Sequence, residues 1–262
     1  MILLTMDELS VKLGSSTILN AITLELKQGQ IIGLMGANGS VKSTLLKAIA
    51  GLIPHSGEIC LRGQVIKKLS LRARAKTIGY LGQSQLPSWS LSVRDFVALG
   101  RLPFKDGDKI SAKKILEKSI LECDLADLSD RLVTQLSGGE LARARIARVI
   151  AGEPTLLLLD EPIAGLDPLH QLEIMHLLQD KVSEGLTVIL VLHDLSLAAR
   201  FTNRLVLLKE GRMLVAGPTG LVLNSENLAE AFKINSQYCV TDGIPYVLPT
   251  YPIKTLSDRH KG

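Results

Sequence analysis

Aromatic side chains are nearly missing from this 262-residue sequence: Phe, Tyr and Trp make up 3% of it, with a single Trp. Its core must be built from Leu, Ile, Val and Ala. Hydrophobic residues, at 46%, supply enough for one large domain or a domain with a sub-domain. Such aliphatic richness suits a parallel sheet buried on both faces. Cysteine is as sparse. Cys60, Cys123 and Cys239 are an odd set without paired spacing, which argues against a disulfide framework or metal cluster and for buried thiols. No apolar run approaches the roughly 18 to 20 residues that span a bilayer. A dense basic run is also lacking, and a net charge of +4 is mild, so nucleic acid is not an expected partner. The N-terminal stretch Met1 to Asp7 has no basic lead and turns acidic early. No signal peptide is expected, and the chain is expected to stay in the cytoplasm.

What is present centres on residues 29–52. The apolar run Ile31 to Met35 reads as a buried strand. A loop holding Gly36, Asn38, Gly39 and Ser40 follows, then Val41-Lys42-Ser43-Thr44 and a helix pattern through Leu45, Leu46 and Ile49 that stops at Gly51. Strand, glycine loop, Lys-Ser-Thr and helix is the layout of a phosphate-binding loop. Its backbone N–H groups and helix N-terminus make a positive nest for phosphate oxygens, Lys42 reaches the β- and γ-phosphates, and the Ser43 hydroxyl can ligate Mg²⁺. The pattern wants glycine before the lysine, and Val41 stands there instead. Where φ is positive, a β-branched residue is a poor fit, and strain of that kind costs about 1 to 3 kcal/mol. Val41 is therefore expected to weaken nucleotide handling, and Val41→Gly to improve it. The plain alternative is an ordinary strand–turn–helix unit with a solvated lysine.

Strand and helix patterns alternate along the rest of the chain. Residues 2–13 and 18–26 read as strands around Gly14-Ser15-Ser16; short strands flank Arg62-Gly63, and 77–81 is another. Composition changes after Gln83. Residues 92–100 and 111–122 carry helical periodicity with many charges, and Lys105 to Asp108 mark a loop between them. Leu141 to Ala151 reads as a helix with its stop at Gly152, opened by a Ser137-x-x-Glu140 capping box. Strands at 155–162 and 187–194 end in Asp160-Glu161 and in His193-Asp194; helices follow at 168–184 and 195–202. A hairpin (204–215), a short helix from Asn224-Ser225 to about Phe232 and a second hairpin turning at Asp242-Gly243 complete the chain. Alternating strands and helices imply a parallel sheet whose site lies at the carboxyl strand ends. Lys42, Asp160, Glu161 and His193 then share one rim. The expected organisation is an α/β core of residues 1–85 and 151–235, a helical sub-domain of residues 86–150, and a C-terminal hairpin and tail of residues 236–262.

Taken singly, these features have bland readings. Asp160-Glu161-Pro162 reads equally as a strand-end turn, His193 as a structural histidine, and Asp167-Pro168 as a helix start. His170 and His176 lack a carboxylate or cysteine cluster in sequence and receive no role. Two consecutive glycines, Gly138-Gly139, are more than capping needs and weaken a helix start.

In this order the motifs resemble the nucleotide-binding subunit of ABC transporters, and the resemblance covers nearly the whole chain. It implies a P-loop NTPase core with a mostly parallel sheet, an antiparallel N-terminal β part and a helical sub-domain. It makes Leu136-Ser137-Gly138-Gly139-Glu140 the signature motif. Gln83 becomes the Q-loop glutamine, sensing the membrane partner and the metal, and Asp160 the Walker B residue holding Mg²⁺ through water. Glu161 becomes the general base, Ala164-Gly165-Leu166-Asp167 the D-loop, and His193 the switch histidine at the γ-phosphate. The family's adenine-stacking aromatic falls at about Leu13, which offers apolar contact only. The resemblance implies ATP and Mg²⁺ as cofactors and a second ABC subunit paired head to tail. It also implies transmembrane permease subunits, a substrate-binding protein acting indirectly, and a peripheral place on the cytoplasmic membrane face. Val93 to Arg101 and Leu166 to Gln171 look like the subgroup serving importers of iron–siderophore, haem or cobalamin. Two alternatives stay open: a nucleotide-binding regulatory or impaired ATPase, given Val41, and a soluble non-transport ABC protein. The latter usually carries two cassettes or a long coiled coil, neither of which is seen. A guanine-reading Asn-Lys-x-Asp is also missing, which argues against a GTPase.

Overall fold

Period-two alternation sets the first layer. In the computed structural model, which describes residues 1–37, 41–83, 90–106 and 109–253, β1 (Ile2–Leu13) and β2 (Ser16–Lys27) form an antiparallel hairpin. Next come β3 (Ile31–Gly36), α1 (Val41–Ile49), β4 (Ser56–Leu61) and β5 (Gln64–Val65). The strands β2-β1-β4-β5 make one four-stranded sheet. Then follow α2 (Leu71–Thr77), β6 (Ile78–Leu81), α3 (Val93–Ala98), α4 (Ile110–Glu122) and α5 (Gly138–Ile150). The chain continues through β7 (Leu156–Leu159), α6 (Pro168–Ser183), β8 (Thr187–Val191) and α7 (Leu195–Phe201). It ends with β9 (Arg204–Lys209), β10 (Arg212–Pro218), α8 (Thr219–Val222), α9 (Ser225–Phe232), β11 (Ile234–Thr241) and β12 (Ile244–Pro252).

The central sheet has the order β10-β9-β3-β8-β7-β6 and is parallel except at the β9–β10 edge. Both faces are covered, which explains the uninterrupted apolar runs. Successive side chains point to opposite faces. Ile31 and Met35 join Leu157, Leu159 and Leu190 in a cluster with the helices, whereas Ile32 and Leu34 join Leu158 and Ile189 in a second cluster with α1 and the N-terminal sheet. Among the described residues from 90 to 150, none enters the central sheet. No helix among the described residues is long and apolar enough to cross a membrane.

Helix α2 is absent from the sequence reading for a physical reason: it buries no residue and so carries no apolar stripe. The Ser70 hydroxyl accepts from the Ala73 N–H at its start, and Arg72 donates to the Pro103 and Phe104 carbonyls at 2.6 and 2.9 Å. Three further boundaries differ. Helix α5 starts at Gly138 rather than Leu141, and the strands expected at 155–162 and 187–194 end at Leu159 and Val191. The carboxylates and His193 therefore stand in the loops beyond the strands. At the C-terminus, Ser196 of α7 clamps β12: its Oγ donates to the Val247 carbonyl at 3.2 Å and accepts from the Val247 N–H at 3.3 Å.

Candidate functional site

The site grows from the carboxyl ends of β3, β7 and β8, three adjacent strands of the central sheet. Gly36 ends β3 where β9 passes close by; a Cβ there would lie 2.2 Å from the Leu208 carbonyl oxygen, so only glycine fits. Asn38, Gly39 and Ser40 lie outside the described residues. Helix α1 then begins at Val41. Lys42 is buried, and its Nζ folds back to donate to the Gly36 carbonyl at 2.9 Å and the Ala37 carbonyl at 3.2 Å. Burial pushes its pKa down, while the nearby Glu161 and Asp160 carboxylates oppose that shift. Thr44 is buried on α1.

Val41 contradicts the strain argument. It is the first residue of α1, a position with helical and hence negative φ, where a branched side chain meets no left-handed penalty. Its side chain packs, partly buried, against the cluster beneath the loop.

The Ser43 hydroxyl donates to Asp160 Oδ1 at 3.0 Å, tying α1 to the end of β7. Burial raises the Asp160 pKa; the Ser43 bond works against that rise and Glu161 adds to it. A hydroxyl beside a buried carboxylate is the hard-oxygen set that Mg²⁺ accepts together with phosphate oxygens. Glu161 follows with a φ of 55°, in the left-handed region that residues other than glycine seldom adopt. Its Oε1 lies 2.8 Å from His193 Nε2. Strain of this kind persists where the surroundings over-determine it, often at functional sites.

Gln83, Gly138, Arg145, Glu161 and Gly165 line one cavity of about 420 Å³. The cavity brings the expected Q-loop, signature, Walker B and D-loop residues together. Arg145 is the member that sequence reading missed. Its guanidinium donates to the Gly82 carbonyl at 2.7 Å, bracing the residue before Gln83. The available signal was position: Gly138, Ala142 and Arg145 recur at helical spacing on α5. Ser137 caps α5, accepting from the Glu140 N–H at 3.3 Å, while Glu140 Oε2 accepts from the Ser137 N–H at 2.7 Å. Leu13 ends β1 half exposed. His170, left without a role in the sequence reading, does have carboxylate neighbours: Glu173 Oε2 at 2.9 Å and Asp167 Oδ2 at 3.9 Å.

A parallel sheet with a lysine-bearing loop, an Asp-Glu pair and a histidine at its carboxyl ends defines a phosphate-loop nucleotide hydrolase. The family model described as "ABC transporter" matches residues 19–164. The chain is 37% identical over 254 residues to the hemin import ATP-binding protein HmuV of Rhizobium meliloti, covering 93% of this chain and 97% of that one. It is 38% identical over 238 residues to the protein of the same name from Pseudomonas aeruginosa, covering 88% and 93%. Among solved structures, one described as an inward-facing metal-chelate type ABC transporter superposes with a TM-score of 0.83 at 27% identity, covering 96% of this chain and 98% of that one. CbiO1 of Clostridium perfringens, part of the cbiONQ complex, gives 0.77 at 30% identity, covering 87% and 93%. The chain belongs to the ABC transporter family, and it is an ATP-binding and ATP-hydrolysing subunit.

Proposed function

We propose that this ATPase drives uptake of a metal chelate, hemin first among the candidates and siderophore-bound iron or cobalamin next, through a transmembrane permease on whose cytoplasmic face it sits. The observation that carries the mechanism is the Glu161–His193 pair beside Ser43–Asp160, above the lysine of the phosphate loop. The names of the relatives, hemin import ATP-binding proteins, support the cargo class.

In this reading ATP displaces the carbonyls that hold the Lys42 ammonium, which then pairs with the β- and γ-phosphates along with the loop N–H groups from Gly36 to Thr44. Ser43 and Asp160 would hold Mg²⁺, with Gln83 nearby, and the ion would supply neutralisation of the phosphate charge. Glu161 accepts the proton of the attacking water, and His193 fixes the orientation of that carboxylate near the γ-phosphate. Leu13 lies against the adenine. Ser137, Gly138 and Gly139 complete the site of a second copy in a head-to-tail pair. The two glycines differ in support of this. Gly138 has open space, its added Cβ making only an ordinary 3.7 Å contact with Leu166, so nothing inside the subunit requires glycine there. The helical stretch 86–150 acts as a sub-domain that docks on the permease, and a substrate-binding protein feeds the pathway from outside.

The test is reconstitution with the permease in proteoliposomes. Hydrolysis should rise when hemin-loaded binding protein is added outside, and less or not at all with cobalamin. Stimulation by cobalamin or a ferric siderophore alone would move the cargo assignment; no stimulation by any of the three would refute the import reading.

A further inference from the structure

The D-loop and the first turn of α6 meet the signature helix at two points within the same subunit. Leu166 Cδ2 would lie 3.7 Å from a Cβ on Gly138, and the His170 ring would lie 2.3 Å from one on Gly139. No side chain fits at residue 139 while that ring stands there. The ring itself is held: Nδ1 lies 2.9 Å from Glu173 Oε2, and the same oxygen accepts from Arg143 at 3.2 Å. Gly139 and Arg143 are one turn apart on α5, and His170 and Glu173 one turn apart on α6, so the two helices are joined by matched rungs. The His170 N–H also donates to Asp167 Oδ1 at 3.0 Å, and Gln171 donates to the Leu166 carbonyl at 3.0 Å, tying the D-loop to the same turn.

We propose that His170 is a positioning residue: its ring is a wedge on Gly139 that sets the separation between the D-loop and the signature loop of one subunit. This rests on the reading that the signature loop completes the nucleotide site of a second copy. Closure of the pair then delivers the signature loop to the far phosphates in one body with the D-loop, its spacing fixed before ATP arrives. Lys42 and Ser43 lie on a different element, so ATP affinity of the single chain does not depend on the wedge.

The experiment measures, on the purified full chain, fluorescent-ATP affinity, kcat, KM and thermal midpoint for His170→Ala and His170→Phe. Ser137→Arg serves as a signature control. His170→Ala should keep its ATP affinity and midpoint while kcat falls about ten- to a hundred-fold, the scale set by ångström-level misplacement. His170→Phe, which restores a ring without the Glu173 bond, should recover most of that loss. Unchanged kcat in His170→Ala, a loss that phenylalanine leaves in place, or a loss that tracks a falling midpoint would each overturn the inference. Ser137→Arg keeps the two readings apart. If it abolishes turnover while His170→Ala is normal, the wedge alone fails; if it turns over normally, the head-to-tail reading fails and the wedge with it.

Discussion

At Val41 the branched side chain packs on the apolar cluster below the phosphate loop, in a position whose backbone is helical. Replacing it by glycine removes that contact and adds backbone freedom, at about 1 kcal/mol. Val41→Gly is therefore expected to lower the thermal midpoint by about 2 to 4 °C, with ATP affinity unchanged. Scanning fluorimetry and a nucleotide titration check this; tighter ATP binding by the glycine form would return the strain argument to favour. Cys123 makes a second residue-scale case. Burial, with Glu122 adding to it, pushes its thiol pKa up to about 12. The thiolate is the reactive form, so iodoacetamide at pH 8 should spare Cys123 in the folded chain and modify it in denaturant, as peptide mass mapping would read. Labelling of the native chain at Cys123 would contradict its burial.

Helix α5 shows how an element start answers to two demands. Its capping box satisfies N–H groups that a helix end leaves unpaired, while its glycines answer to His170 and to the open side of the subunit. The bond from the Ser137 N–H holds the Glu140 carboxyl below the usual glutamate range. A lowered folded pKa contributes stability present above the unfolded value and lost as pH falls through the folded one. Glu140→Ala should thus cost about 0.3 to 1 kcal/mol near neutral pH, and the difference from the parent chain should shrink as pH falls below about 4.5. Denaturant titrations at pH 7 and pH 4 compare the two. A cost that is the same at both would mean that the carboxylate charge plays no part in the cap.

For the whole molecule, the head-to-tail pairing proposed above rests on there being one phosphate-loop motif and one signature motif in a single chain. Glu161→Gln should bind ATP, slow hydrolysis about 10²- to 10⁴-fold, and accumulate a dimer that light scattering detects with ATP and loses with ADP. A variant that hydrolyses normally would remove Glu161 from the role of base; one that stays monomeric with ATP at any concentration would count against the head-to-tail pair.

Local pattern was enough for much of this molecule. Continuous apolar runs announced β3, β7 and β8, the helix pattern after Lys42-Ser43 announced α1, and turn residues announced both C-terminal hairpins, because period and turn chemistry act between residues near in sequence. The placing of Asp160, Glu161 and His193 on one rim followed from parallel-sheet topology alone. What the sequence could not settle depends on residues far apart in it. Helix α2 carries no stripe because its partners are the carbonyls of residues 103 and 104. The backbone state of Val41 is set by the helix it opens, not by the motif it breaks. The need for glycine at 139 comes from His170, thirty-one positions away, and appears only when the start of α6 is brought against the start of α5. Sequence pattern records which face is apolar; which side chain occupies the space beside a glycine is decided only when the helices pack.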